Sequence, residues 1–396
     1  MKILMIGWEL PPFNSGGLGT VCYDLAKALS KKGEEVKFIL PYKCNINVDF
    51  MKILFPESSL EINEKNCNDF LDTYKSFSKE ELKKKIFLSD EGLNLIEKVK
   101  KYAFQVKQIA MKEDFDVIHV HDWLTIDSGI EAKKVSGKKL IMHVHATEFD
   151  RSGGNINKNS PIFFIEKYGM QQADKIIAVS NIIKKIIIEN YDIPSEKISV
   201  VHNAIGEFSG KMYESSSLKK KEKIVLFMGR VTIQKGPEFF VYAAKKVLER
   251  MHNILFLFIG SGDMREEIIK KVSDLGIADK FLFSPFARGE DVNKAYQMAD
   301  LYIMSSVSEP FGLMPLESLQ NNTPVIVTKQ TGVSEVLNHC LKVDFWDIDE
   351  MANKIIAVLK YPELQQCLKE NGNLEVKGIS WDKPIEKIIK VYKEAQ

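Results

Sequence analysis

At 396 residues the chain is about twice the usual single-domain size, which predicts two domains, each able to bury its own core. Hydrophobic residues at 45% and charged residues at 28% place it with globular proteins and exclude disordered, fibrous and membrane-spanning classes. With 55 basic against 54 acidic side chains the formal net charge is +1, so bulk charge draws it neither to nucleic acid nor to an anionic membrane.

The first apolar run, Lys2 to Ile6, meets Glu9 and Pro11-Pro12 too soon for a signal peptide and reads as a first strand; no run reaches transmembrane length. Further strands are predicted at Glu35 to Leu40, Val117 to Val120, Leu140 to Val144 and Lys175 to Val179. In the second half they are predicted at Lys223 to Met228, Ile254 to Ile259, Lys280 to Phe283, Leu301 to Met304 and Pro324 to Val327. Helix-length amphipathic segments alternate with these runs, the pattern of parallel βα units, so the fold class is α/β with two doubly wound sheets. Residues 45–112 break the rhythm with a Lys/Glu-rich helical insertion, read as a solvated helix pair, with an overhang above a cleft as the alternative. The segment Asn181 to Asn190 reads as a helix covering a sheet, with peripheral membrane contact as the alternative. Gly206 to Lys223 is polar and charged and reads as a linker. The expected division is a first domain over 1–205, a linker over 206–222, a second domain over 223–378 and a terminal segment over 379–396.

Cys22, Cys44, Cys67, Cys340 and Cys367 are scattered and never in C-x-x-C spacing, which argues against a disulfide framework or a zinc site and fits a reducing cytoplasm. Ligands of open α/β sheets bind at the carboxyl ends of strands, so the motifs that follow strands carry the functional reading. After the first strand comes Ser15-Gly16-Gly17-Leu18-Gly19, opening into a helix through Leu29, where the amides of Gly16 and Gly17 suit a phosphate and a tight strand-to-helix turn is the plainer explanation. Two further strands end in His119-Val120-His121-Asp122-Trp123 and His143-Val144-His145, with alternate histidines on one face. A metal site there lacks a water-activating arrangement, so no metal is expected and His145 is read as facing a sugar. Arginine is scarce, and Gly229-Arg230 with Lys235-Gly236 presents one guanidinium and one ammonium that suit a diphosphate, with ordinary surface-loop charge as the alternative. The most specific run is Ser308-Glu309-Pro310-Phe311-Gly312-Leu313-Met314-Pro315-Leu316-Glu317, whose Glu317 suits a ribose diol and whose amides from Gly312 through Leu313 to Met314 suit a phosphate. Capping explains either glutamate alone but not both.

These motifs, with Val201-His202-Asn203-Ala204, resemble glycosyltransferase family 4 and the related glycogen and starch synthases of the GT-B fold, and the resemblance spans almost the whole chain. It implies two Rossmann-like domains facing a cleft, the first on the acceptor side and the second binding a nucleotide sugar, with the C-terminal helix after Ser380-Trp381-Asp382 crossing back to the first. It makes Arg230 and Lys235 the diphosphate clamp, Glu309 the partner of the donor sugar, Glu317 the ribose ligand, His145 the histidine beside the transferring sugar and Asp122 an aspartate near the acceptor. Gly262, in Ser261-Gly262-Asp263, and Phe286, in Phe286-Ala287, then border the nucleobase. Asn14 and Met314 stand where glycogen synthases usually carry lysine and many relatives carry threonine. The implied reaction is retaining, needs neither a metal nor another cofactor, and moves a hexose, glucose first, from ADP- or UDP-glucose to a glucan or other hydroxyl acceptor. No Asp-x-Asp metal motif stands against this, since Asp114-Phe115-Asp116 leads into a strand and Asp347-Ile348-Asp349 precedes a helix. Transfer to surface polysaccharide or lipid, nucleotide-sugar 2-epimerisation and non-catalytic nucleotide-sugar binding are the alternatives.

Overall fold

The computed structural model describes residues 1–14, 16–57, 59, 61, 95–206, 208, 210, 211, 213, 222–285 and 287–396. Ser15, Phe286, the middle of the expected insertion and most of the expected linker lie outside the described residues. Contacts divide the chain into two compact units, one of Met1–Glu148, Asn157–Asn203 and Trp381–Gln396, the other of Phe149–Ile156 and Ala204–Ser380. Segment 149–156, expected in the first domain, therefore groups with the second unit. One reason is a 2.6 Å hydrogen bond from Ser308 Oγ to the buried Asp150 carboxylate, spanning 158 residues.

The first unit holds a parallel sheet in the order β3-β2-β1-β4-β5-β6-β7. Its strands are β1 (Lys2–Ile6), β2 (Glu35–Ile39), β3 (Lys52–Leu54), β4 (Val117–His121), β5 (Lys139–Val144), β6 (Lys175–Ala178) and β7 (Ile198–Val200). Covered on both faces, the central strands read as unbroken apolar runs rather than alternating ones: Ile3, Leu4, Met5 and Ile6 are all fully buried. The three-residue strands β3 and β7 escape prediction because so short an apolar run carries no period.

Helix α1 (Gly17–Lys31) turns Val21, Cys22, Leu25, Ala26 and Leu29 inward, a helical stripe. Helix α2 (Leu95–Ala110), the described helix of the expected insertion, is packed rather than solvated on one face, where Val99, Tyr102, Ala103, Val106 and Ala110 are buried. Tyr102 donates between the carbonyls of Gly7 and Ile39, at 3.0 Å each, and so ties α2 to the ends of β1 and β2. Helices α3 (Trp123–Ser136), α4 (Glu148–Arg151) and α5 (Pro161–Gln172) follow, and α6 (Asn181–Tyr191) is capped by the Ser180 hydroxyl on Ile183 N. The apolar face of α6, with Ile183, Ile186, Ile187 and Tyr191, lies in the core, as expected of a sheet-covering helix.

The second unit holds a parallel sheet in the order β10-β9-β8-β11-β12-β13. Its strands are β8 (Lys223–Met228), β9 (Ile254–Ile259), β10 (Phe281–Ser284), β11 (Leu301–Met304), β12 (Val325–Thr328) and β13 (Leu341–Val343). Phe227 of β8, the alternate residues Phe256 and Phe258 of β9, and Phe281 of β10 form an aromatic layer, with Phe227 stacked on Phe258 at 4.4 Å and Phe256 on Phe281 at 5.2 Å. The helices are α7 (Pro237–Leu248), α8 (Arg265–Asp274), α9 (Glu290–Met298), α10 (Met314–Gln320), α11 (Ile348–Lys360) and α12 (Pro362–Lys377). Described residues of the expected linker are docked rather than free: Tyr213 N donates to Gln297 at 2.8 Å and Tyr213 Oη to Glu290 at 3.1 Å, both on α9.

Helix α13 (Asp382–Ala395) belongs to the first unit, burying Ile385, Ile388, Val391 and Tyr392. Among the described residues no helix is long and apolar enough to cross a membrane. Tyr102→Phe should destabilise the first unit by about 1–2 kcal/mol, because the buried Gly7 and Ile39 carbonyls lose a shared donor. A urea melt followed by near-ultraviolet circular dichroism checks this, and an unchanged midpoint would refute it.

Candidate functional site

In each sheet the strand order reverses at its centre, between β1 and β4 in the first unit and between β8 and β11 in the second. Such a switch point opens a crevice at the carboxyl ends of the strands, and the sequence motifs lie in the loops that leave those ends.

In the first unit the glycine loop joins β1 to α1. The buried Glu9 accepts from Gly19 N at 3.0 Å, and Asn14 donates to Gly16 O at 2.9 Å, so the loop is folded onto its own strand. Its glycines serve different ends. A Cβ on Gly19 would sit 2.7 Å from Asn14 Cβ, so packing requires that glycine, whereas a Cβ on Gly16 would meet nothing within 4 Å. Gly16, the extended residue before α1, and the exposed Gly17 thus leave backbone facing open space with no side-chain cap.

Asp122, at the end of β4, has φ +57° and ψ −174°, a region that a residue with a side chain rarely adopts, and such strain marks functional loops. Its carboxylate does not cap its own helix. Instead Oδ1 accepts from His145 N at 2.6 Å and Ala146 N at 3.3 Å, so Asp122 fixes the backbone that carries His145. Thr125 secures the other side, accepting from His121 N at 2.8 Å and donating to His121 O at 2.7 Å.

The register that sets His121 opposite His143 assembles four histidines into a ladder. Rings 143 and 145 stack at 4.2 Å, and His121 Nδ1 lies 2.9 Å from His145 Nε2. His119 Nδ1 lies 2.6 Å from Tyr392 Oη on α13 and its Nε2 lies 3.3 Å from His143 Nδ1. Burial pulls His121 down to about 3 and holds His119, His143 and His145 well below the ordinary histidine value, reinforced at these three by their neighbouring rings. The ladder is therefore neutral at pH 7, and the half-buried His145 is its outermost member.

In the second unit Arg230 follows β8 in a loop that continues through Lys235 to Gly236 before α7. Gly260 and Gly262, both with positive φ, let the loop after β9 cross this segment: a Cβ on Gly262 would lie 2.3 Å from Val231 O. The glycine at 262 is thus explained by backbone packing against the Arg230 loop. Lys235 Nζ and Glu309 Oε2 form a hydrogen-bonded ion pair, and Ser306 Oγ reaches the same carboxylate oxygen at 3.4 Å. Gly312, at φ +93°, turns the chain directly over Glu309, since a Cβ there would stand 3.1 Å from Glu309 Cγ. Leu313 and Met314 follow, and the Met314 thioether accepts from Tyr302 Oη at 3.6 Å beside Gly229.

Glu317, in the first turn of α10, accepts from Tyr296 Oη at 3.0 Å. Burial raises its carboxyl above the usual glutamate value, and the Tyr296 hydroxyl opposes that rise. Neither glutamate caps α10, so the capping explanation fails for both. The expected residues thus fall into two groups, Gly16, Gly17, Asp122 and His145 in the first unit and Arg230, Lys235, Gly262, Glu309, Gly312, Leu313, Met314 and Glu317 in the second. Glu9, Tyr296 and Asp150 support these groups, and the sequence signal for Glu9 is a lone acid three residues after the apolar strand β1.

Two family models match the chain: Glycosyltransferase Family 4 over residues 82–206 and Glycosyl transferases group 1 over residues 210–375. An uncharacterized glycosyltransferase of Methanocaldococcus jannaschii is 31% identical over 416 aligned positions, covering 100% of this chain and 98% of that protein. The N-acetyl-alpha-D-glucosaminyl L-malate synthase of Bacillus anthracis is 26% identical over 380 positions, covering 91% of this chain and 89% of that one. Among solved structures, sucrose-phosphate synthase from Thermosynechococcus elongatus superposes with a TM-score of 0.75 at 19% identity, covering 99% of this chain and 98% of that chain.

The two glycines separate packing from ligand approach. Gly19→Ala should cost about 1–3 kcal/mol by overpacking against Asn14. Gly16→Ala should melt with the unaltered protein and lose affinity for a ligand that approaches the loop backbone. Thermal melts paired with ligand titrations check both, and a destabilised Gly16→Ala would contradict the geometry.

Proposed function

Because the chain belongs to glycosyltransferase family 4 and has the GT-B fold, we propose that it moves a hexosyl group, glucose first, from a nucleoside diphosphate sugar to a hydroxyl acceptor, retaining anomeric configuration and requiring no metal. The observation that carries this reading is the Lys235–Glu309 pair set in the same loop system as Arg230. An ammonium offers three donors, and Glu309 engages one, so the pair orients Lys235 while leaving two donors for phosphate oxygens. Arg230 adds a guanidinium, whose fork matches a phosphate. Fixed cations of this kind stabilise charge that grows on the leaving diphosphate without waiting for solvent to reorganise.

The bond between the anomeric carbon and the phosphate oxygen breaks as the acceptor oxygen bonds to that carbon from the same face. The acceptor's proton passes to the departing phosphate oxygen, so no separate base is required. His145, neutral and held by Asp122 through its backbone, supplies a hydrogen bond to the donor sugar, and Asp122 acts by positioning it. Glu317 holds the ribose hydroxyls through the oxygen not taken by Tyr296. The Gly16 and Gly17 amides, with those of Gly312, Leu313 and Met314, contact donor phosphates, and the loop with Gly262 borders the base.

An α-1,4-glucan is the first acceptor to test. A small hydroxy acid is the second reading, supported by the Bacillus anthracis relative, which is named for joining an N-acetylglucosaminyl group to L-malate. Incubation with ADP-, UDP- and GDP-sugars, with and without maltooligosaccharide or malate, should release nucleotide with one acceptor, and proton NMR of the product should show the donor's anomeric configuration. Arg230→Ala should lower turnover by about 10²–10³ with folding intact, and a chelator should not lower the unaltered enzyme's rate. Normal turnover in that variant would sink the assignment.

The glutamate environment gives a pH dependence with a defined sign. Protonation removes acceptor capacity, so donor KM should rise as pH falls through the elevated Glu317 value, beginning where an exposed glutamate is still ionised. Tyr296→Phe removes the hydroxyl that favours the carboxylate and should move that rise to higher pH. A KM profile that is identical in the two proteins would refute the role of the pair.

A further inference from the structure

The first unit holds a second chemical constellation, built from three separate elements. Cys22 lies on the inward face of α1, His121 ends β4 and His145 follows β5. The Cys22 thiol and one nitrogen from each imidazole all lie within 4.8 Å of one another. His121 Nδ1 and His145 Nε2 are 2.9 Å apart. Two nitrogens bound to one ion at 2.0–2.1 Å stand about 2.9–3.4 Å apart for angles from square to tetrahedral, so this spacing already suits shared coordination. The remaining His121 nitrogen, Nε2, is wholly buried and has no hydrogen-bond partner among the described residues. Hydrogen bonding within the protein therefore leaves the His121 ring, which is 1% exposed, incompletely satisfied.

One thiolate with two imidazoles is a donor set that selects zinc-like ions over magnesium or manganese. The half-buried His145 gives the site an opening, and three protein ligands leave a further position free for water. We propose that Cys22, His121 and His145 form a binding site for Zn²⁺, and that its occupation inhibits the enzyme by withdrawing His145 from the donor sugar. The inhibitory half rests on the role given to His145 above; the binding half does not. Binding forms one sulfur–zinc and two nitrogen–zinc bonds while the thiol proton leaves to solvent and the proton shared between His121 Nδ1 and His145 Nε2 moves to the other nitrogen of its ring, with no change of oxidation state. A contraction of roughly 1 Å from the present spread completes the coordination shell. A wholly buried trio, His119, His121 and His143, shares His121 but offers no sulfur.

The test uses the full chain, freed of any affinity tag and stripped of metal, and titrates it first with Co²⁺ and then with Zn²⁺. The expected result is one equivalent of Co²⁺ bound with a near-ultraviolet thiolate-to-cobalt charge-transfer band, bleached by Zn²⁺. Turnover should fall in step with Zn²⁺ binding and return on adding a chelator. Cys22→Ala should abolish the band, keep metal-free turnover at the unaltered level and raise the Zn²⁺ concentration for half-inhibition by at least about tenfold. Cys22→Ser, should the alanine variant fail to fold, should also lack the band. No binding, a cobalt spectrum without a sulfur band, or Zn²⁺ inhibition unmoved in the Cys22 variants would each overturn the proposal. If the stripped protein transfers no sugar from any donor, the transferase reading fails, while the cobalt titration still decides the site.

Discussion

The constraint on which this molecule rests is that every strand in both sheets runs parallel to its neighbours. A parallel ladder sends all its carboxyl ends to one edge and returns the chain through helices that cover both faces. The interior is consequently apolar on both sides of each sheet, and polar function is confined to the loops at that edge. Gly16, His121, Asp122 and His145 reach it in the first unit, and Arg230, Lys235 and Glu309 in the second, because strand direction leaves them nowhere else to gather.

At those edges the charged groups are held by other groups rather than left to solvent. Glu9 spends an oxygen on Gly19 N, Asp122 spends one on the amides of His145 and Ala146, and Glu309 spends one on Lys235. Each arrangement satisfies a buried or strained group and at the same time fixes a neighbouring loop segment. A buried carboxylate without such partners would carry a desolvation cost of several kcal/mol. Stability and positioning are therefore served by the same hydrogen bonds, and substitution at these acids perturbs both.

Most of the architecture was legible in the sequence because its carriers are local. Strands such as Lys223–Met228 and Ile254–Ile259 are apolar runs long enough to stand out between glycines and charged helices. The edge strands β3, β7 and β13 are three residues each, too short for a period to register. The packing of α2 is hidden in the sequence because lysines at 98, 100, 101 and 107 dominate its composition, while its buried stripe is spaced every three or four residues beneath them. The motif residues stand out in the sequence, but the pairings among them do not. Lys235 and Glu309 lie 74 residues apart, His119 and Tyr392 lie 273 apart, and no spacing rule connects them. Asp122 and His145 were singled out separately, and only the fold shows that one holds the other's backbone.

The last helix bears on how the chain is made. Because α13 belongs to the first unit and places Tyr392 against His119, that unit is assembled from both ends of the polypeptide. During synthesis β1 through β7 leave the ribosome well before the residues that finish their packing, and Ala204–Ser380 of the second unit emerges in between. The contacts of α13 are thus among the most sequence-distant in the chain, the class that forms late in folding. Until α13 has emerged, Ile385, Ile388 and Tyr392 are missing from the core, and a nascent chain or one truncated before α13 exposes the apolar surface they cover.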